Sequence, residues 1–319
     1  MGRYLARRLL ISIPTLLGIS VIIFAVLAFA PGDPLSQFAN NPEVPEEVRQ
    51  RVRDSLGLSQ PVPVRYLKWL GQLLQGDLGF SFATRSSVTE LIIQRLPNTL
   101  AVVGIAYLIG IAIAIPLGVF TAAKRYSIFD HLATTAAFIG FSVPSFFTGL
   151  ILIIIFAVQL RWFPFIYDST IVVRDLGSLF QQAKQSIMPI AVLTFFYAAT
   201  LMRYVRAEML ENLPQDYART ARSKGLRESA VVWRHVLRNS LIPVITLVAL
   251  GLPNVFTGAV ITESIFSVPG IGQLLILSIV SADTPVVMAV TFSFAVLVVF
   301  FNLVADVLYA AADPRIRYS

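Results

Sequence analysis

Leu9 to Ala30 runs without a single charged residue. As a helix it suits a hydrocarbon core about 30 Å thick, which takes about 20 residues to cross. Apolar stretches at 99–123, 132–159, 188–205, 241–262 and 286–310 repeat the pattern. Backbone in lipid must close its hydrogen bonds within each segment or in a closed barrel, and apolar runs of this length select helices. The sequence therefore predicts an all-α polytopic membrane protein with six spans. Composition agrees, since 13% of the residues are charged, against roughly a quarter in soluble domains. Arg3, Arg7 and Arg8 precede the first run, as they would a signal peptide. That run is longer than a signal-peptide core, and Pro31-Gly32-Asp33-Pro34 follows it in place of a small-residue cleavage site. It is expected to be a retained span.

Basic residues orient the chain. With the N-terminus inside, inner tails and loops hold fifteen Lys and Arg, and the short outer loops hold three: Arg161, Arg174 and Lys184. This asymmetry predicts both termini in the cytoplasm. It also accounts for the net charge of +7 without a nucleic-acid partner. Three regions are expected: residues 1–98, a first span (about 9–30) with an extracytoplasmic segment 31–98; residues 99–310, the transmembrane core; and 311–319, a cytoplasmic tail. Segment 31–98 carries two amphipathic helical patterns, one opening at Pro45-Glu46-Glu47 and one from Tyr66 to Leu74, ending at Gly76-Asp77-Leu78-Gly79. Tyr66 and Trp69 would suit the headgroup level. The segment reads either as a connector lying on the membrane or as a landing surface for an extracytoplasmic partner. Gly104, Gly110 and Gly118 in the second run suit close helix packing.

Several kinds of chemistry are excluded. No Gly-x-x-x-x-Gly-Lys-Ser/Thr loop is present to cradle ATP. No cysteine exists, which removes disulfides and thiolate metal sites. The two histidines, His131 and His235, stand in loops. Carboxylates in the spans are scarce, Asp306 and Glu263 being the clearest. Ion-coupled carriers mark their path with such groups, so the energy source is expected to be another chain. A stand-alone ion-coupled carrier is the alternative from a different class. The chain itself is expected to be no enzyme, with no cofactor of its own.

The loop between the fourth and fifth spans is the most informative stretch. A helix is expected from Pro214, with Asp216 in its first turn, where a carboxylate suits the macrodipole, and a stop at Gly225. Its basic residues either only enforce topology, or the helix inserts into a cleft of a partner and transmits force.

Residues 217–225, Tyr217-Ala218-Arg219-Thr220-Ala221-Arg222-Ser223-Lys224-Gly225, resemble the cytoplasmic "EAA" loop of binding-protein-dependent ABC importer permeases. Of that general pattern only Ala221, Gly225 and Leu237 match. Arg219 and Thr220 replace its first two residues, and His235-Val236-Leu237-Arg238 stands where Ile-x-Leu-Pro is usual. The fit to the peptide/nickel branch is complete, through Tyr217 to Gly225 and Arg234 to Asn239. Pro31-Gly32-Asp33-Pro34, Gly76-Asp77-Leu78-Gly79 with Arg95-Leu96-Pro97-Asn98-Thr99, Glu263-Ser264-Ile265-Phe266 with Pro269-Gly270-Ile271-Gly272, and Asp313-Pro314-Arg315-Ile316-Arg317 are similar in the same order. The resemblance implies a type I ABC importer fold in a prokaryotic plasma membrane. It implies the first of two homologous permease subunits, two cytoplasmic ATPases carrying ATP and Mg, and an extracytoplasmic solute-binding protein. Dipeptides or oligopeptides are the implied cargo, with nickel chelates or glutathione as alternatives. Tyr217, Arg219, Thr220, Ala221, Arg222, Lys224 and Gly225 would couple to an ATPase, Ala221 offering a small surface for close approach. Ser142, Asn254 and Glu263 are the candidates for the substrate path.

Overall fold

The structure, a computed structural model, describes residues 2–29, 47, 50, 59–168, 170, 171, 173–257 and 259–312. Among them the fold is helical, with one isolated antiparallel bridge between Phe80 and Ser87. Pro31–Pro34, most of the helical pattern expected from Pro45, and Asp313–Arg317 lie outside the described residues.

In chain order the helices are α1 (Gly2–Phe29), α2 (Val62–Leu74), α3 (Val88–Thr99), α4 (Ile105–Ala123), α5 (Ile128–Ser142), α6 (Ser145–Leu152) and α7 (Leu176–Asn212). They continue with α8 (Asp216–Ser223), the single turn α9 (Glu228–Ala230), α10 (Leu237–Thr257), α11 (Val260–Ile265), α12 (Ile271–Val280) and α13 (Thr284–Ala312). Three π-helical stretches, Leu100–Gly104, Ile153–Gln159 and Val231–Val236, carry the chain on from α3, α6 and α9.

Five helical runs are long and apolar enough to cross a membrane: Arg7–Phe29, Val88–Ala123, Leu176–Asn212, Glu228–Ile265 and Thr284–Val307. The expected span at 132–159 is instead a bent pair, α5 and α6 meeting at 102°, so the count is six when that pair is taken as one. Pro144 is the cause. It disfavours helix at the residue before it, and Val143 is extended at φ −82°, ψ 124°. The expected span at 188–205 is the middle of the 37-residue α7. At 1.5 Å per residue α7 is about 55 Å long, more than the hydrocarbon thickness, so part of it extends beyond the apolar layer.

The chain divides into two units. In the unit formed by residues 1–97 and 270–299, α1 exposes large apolar side chains, Leu10 at 67% and Val26 at 63%, a surface suited to lipid. Helix α2 lies on α1 through Phe24, whose ring centroid is 5.5 Å from Tyr66 and 5.8 Å from Trp69. The hydroxyls of Ser20 and Tyr66 hydrogen-bond at 2.9 Å. Tyr66 and Trp69 are thus half-buried against α1. Val88, Leu91, Leu274, Val286 and Val290 form this unit's core. Beside it, buried Asp283 accepts hydrogen bonds from Ser81 Oγ, Phe82 N and Ala83 N. The turn Gly76–Gly79 closes on Asp77 Oδ1, which accepts from Gly79 N at 2.9 Å.

In the unit formed by residues 98–269 and 300–319, α4 and α7 pack most closely. A Cβ at Gly118 would stand 2.6 Å from Val205 Cβ, and one at Gly110 would stand 2.8 Å from Tyr197 Cβ. The expectation that glycines in this run serve close packing is met at both. Asp130, in the first turn of α5, is 4% exposed and forks onto Arg206 of α7, whose Nε and Nη2 each donate at 2.9 Å.

Candidate functional site

Helix α7 ends at Asn212, and Pro214 follows. Gln215 is extended at φ −66°, ψ 153°, so α8 begins at Asp216, two residues later than expected. Ala218 and Ala221, three apart and so on one face, are 0% and 5% exposed. They enter a core made by Val119, Val205, Met209, Val231 and Val236. Alanine lets the helix backbone approach this core closely.

Both flanks of α8 are tied down. The Tyr217 hydroxyl and Asn212 Oδ1 hydrogen-bond at 2.8 Å, fastening α8 to the end of α7. Arg222 forks onto Glu228, with Nη2 to Oε1 at 2.8 Å and Nε to Oε2 at 3.0 Å, and its Nη1 donates to the Leu213 carbonyl at 3.2 Å. Further along, Ser240 Oγ donates to the Glu208 carbonyl at 3.2 Å, joining α10 to α7.

The helix ends in a Schellman motif. Gly225 N donates to the Arg222 carbonyl at 2.9 Å and Leu226 N to the Ala221 carbonyl at 3.4 Å, with Gly225 at φ +77°. The opposite face is open: Asp216, Arg219, Thr220, Ser223 and Lys224 are all exposed. Arg219 and Asp216 approach to 3.6 Å at 70% and 98% exposure, a pair worth little to stability. The face is therefore polar, fixed in place and available.

The first of two family models covers residues 1–103, under the description "Binding-prot-dependent transport system membrane comp, N-term". The second, "Binding-protein-dependent transport system inner membrane component", matches residues 114–318. The chain belongs to this family. Its relatives include the oligopeptide transport system permease protein AppB of Bacillus subtilis, 44% identical over 319 residues with both chains covered in full. The di/tripeptide transport system permease protein DppB of Pseudomonas aeruginosa is 39% identical, with 99% of this chain and 98% of the relative covered. A putative peptide permease protein of Brucella suis is 38% identical, with 99% of each covered.

Membership makes the chain a multi-pass inner-membrane transport component, not itself an enzyme, and gives the seven loop residues their context. Arg219, Thr220, Lys224 and Gly225 lie on the open side of α8. Ala221 turns inward, while Tyr217 and Arg222 lie half-exposed on the flanks. The inward position of Ala221 corrects the expectation that it offers a small surface to a partner, because its methyl group packs into this chain's own core. Ala218 and Glu228 are the residues that sequence reading missed. The Ala218–Ala221 spacing was visible. The reach of Glu228 back to Arg222 across the Gly225 turn follows no fixed period.

The substrate-path candidates part company. Ser142 is exposed at the bend between α5 and α6, and Asn254 is exposed on α10. Glu263 is 0% exposed and accepts a hydrogen bond from Thr99 Oγ1 at 2.9 Å. It ties α11 to the end of α3 and does not face an open path. His131 is exposed, but it lies in the first turn of α5 and His235 in the π-helical stretch Val231–Val236, where the sequence placed both in loops. No group of His, Asp and Glu among the described residues is arranged to hold a metal ion.

Proposed function

We propose that this chain is the first permease subunit of an ATP-driven importer of dipeptides or oligopeptides, with α8 receiving force from a cytoplasmic ATPase. It works beside a second homologous permease subunit, two ATPases that bind ATP and Mg, and an extracytoplasmic solute-binding protein. The peptide cargo is supported by the names of full-length relatives. The coupling role is carried by one observation: α8 is locked to α7 and to the run leading into α10, while its polar face stays open. A push on that face cannot be absorbed by the loop and passes to two membrane helices. Closure of the ATPases shifts the balance between inward and outward states only if α8 contacts their open and closed forms differently.

Thr220 is the position to test, because it is exposed and off the buried stripe. Thr220→Trp is expected to insert and fold normally, and to weaken seating of α8 by about 1–3 kcal/mol, as overpacking does. That corresponds to a roughly five- to 150-fold loss in a binding equilibrium. Hydrolysis by the reconstituted importer should then no longer rise with loaded binding protein. Near-normal uptake at matched membrane levels would reject coupling through this face. Ala221→Trp is expected to fail differently, losing folded protein, because Trp cannot enter the core that holds Ala221.

A further inference from the structure

Between the π-helical stretch Ile153–Gln159 and the first turns of α7 lies a pocket of about 420 Å³, lined among others by Arg161, Trp162, Asp168, Gln181, Lys184 and Gln185. The volume suits a small-molecule site. The charge asymmetry assigns it to the outer side.

The pocket is built on a fixed floor. Gln185, 5% exposed, accepts from Asp168 N at 2.8 Å and donates to the Asp168 carbonyl at 3.2 Å and to Gln182 Oε1 at 2.7 Å. These bonds pin the chain at Asp168 to α7. Asp168 Oδ1 accepts from Thr170 N at 2.9 Å and Thr170 Oγ1 at 2.6 Å. The same bonds hold the carboxyl below its usual range and leave Oδ2 for another donor. The same lining holds two cations, Arg161 and Lys184. Arg161 and Lys184 make no ion pair or hydrogen bond among the described residues. Arg161 also holds φ +56°, a backbone conformation costly for a residue with a Cβ, without gaining a protein partner for its guanidinium.

We propose that this pocket binds the termini of a short zwitterionic peptide. The carboxylate goes to Arg161 and Lys184, the ammonium to Asp168 Oδ2, and Gln181 is left for the peptide amide. A purely anionic ligand would face Asp168 and a purely cationic one would face Arg161 and Lys184, so only a ligand of both signs pairs the whole wall. The inference rests on the peptide reading, and binding is measured apart from uptake so that the two can fail separately.

The assembled importer in nanodiscs, without binding protein, is dialysed against labelled L-alanyl-L-alanine, its C-terminal amide and its N-acetyl form. The dipeptide is expected to bind. Arg161→Gln with Lys184→Gln should weaken it about fivefold or more, the upper range for exposed ion pairs, and should bind acid and amide alike. Asp168→Asn should erase the preference over the N-acetyl form and leave the acid-to-amide preference intact. All three residues are exposed, so the variants should elute as the parent complex. Wild-type binding that does not distinguish acid from amide, or variants within twofold of wild type, overturns the proposal. Variants that change only the stimulation by loaded binding protein also overturn it, making the wall a protein contact. A wild-type importer that binds the dipeptide and takes up no peptide fails the functional reading and leaves the pocket standing.

Discussion

Gly225→Val is expected to insert normally and to abolish coupled transport. The side chain itself has room, since nothing lies within 4 Å of a Cβ built at Gly225. The penalty is conformational, because φ is +77° and a β-branched residue held there costs roughly 1–3 kcal/mol. The chain relieves that strain by giving up the Schellman turn. The bonds from Gly225 N and Leu226 N are lost, and with them the exit angle that places Arg222 opposite Glu228. Asparagine tolerates left-handed backbone far better than valine. Uptake at matched membrane levels should therefore rank Gly, then Asn, then Val. Near-normal uptake by the valine variant would sink the role of the turn. Equal loss in both variants would place the cause in side-chain bulk at an interface.

The spans were legible because twenty apolar residues have few other uses, and because lipid fixes helix as their form. The bend at Pro144 was visible as an interruption, but its 102° angle depends on what α6 packs against: Gly149 lies close to Phe266, a residue distant in sequence. The length of α7 was hidden for a different reason. The apolar signal fades near Val205, while the helix continues to Asn212 on an amphipathic pattern, Val205 and Met209 inside and Glu208 and Glu211 further out. The loop helix was legible in place and, apart from a start two residues late, in extent. Its inward face was not, because Val119, Val205, Val231 and Val236 come from three separate stretches of chain. The basic residues were counted as a topology signal, and that count is blind to partners. Arg206 pairs with Asp130, 76 positions away, which no count of basic residues can show.

That pair carries the largest expected effect on stability. Asp130 accepts four hydrogen bonds: two from Arg206, one from Tyr126 N at 2.9 Å and one from Thr134 Oγ1 at 3.1 Å. It therefore fastens both the turn after α4 and the start of α5 to α7, the helix that bears α8. Asp130→Asn keeps the shape, but turns an amide donor towards the guanidinium and leaves the Arg206 charge without its counter-ion. Breaking one side of a buried pair costs about 3–5 kcal/mol, and the 24% exposure of Arg206 places the expected loss near the low end, about 3 kcal/mol. Adding Arg206→Gln should restore more than half of it, because the two introduced side chains can hydrogen-bond as neutral amides, while the amide oxygen at position 130 still accepts from Tyr126 N and its NH2 donates to the Thr134 hydroxyl, which can reverse. Reversible unfolding in mixed micelles gives both single variants and the double variant on one scale. If the double variant is as unstable as the two losses added together, the residues are uncoupled and the junction is held by something else. If it recovers, the fork is what holds α5 to α7, the helix that leads into α8. The Asp130→Asn variant alone should then also lose transport, if α8 couples as proposed, despite standing well away from α8 in sequence.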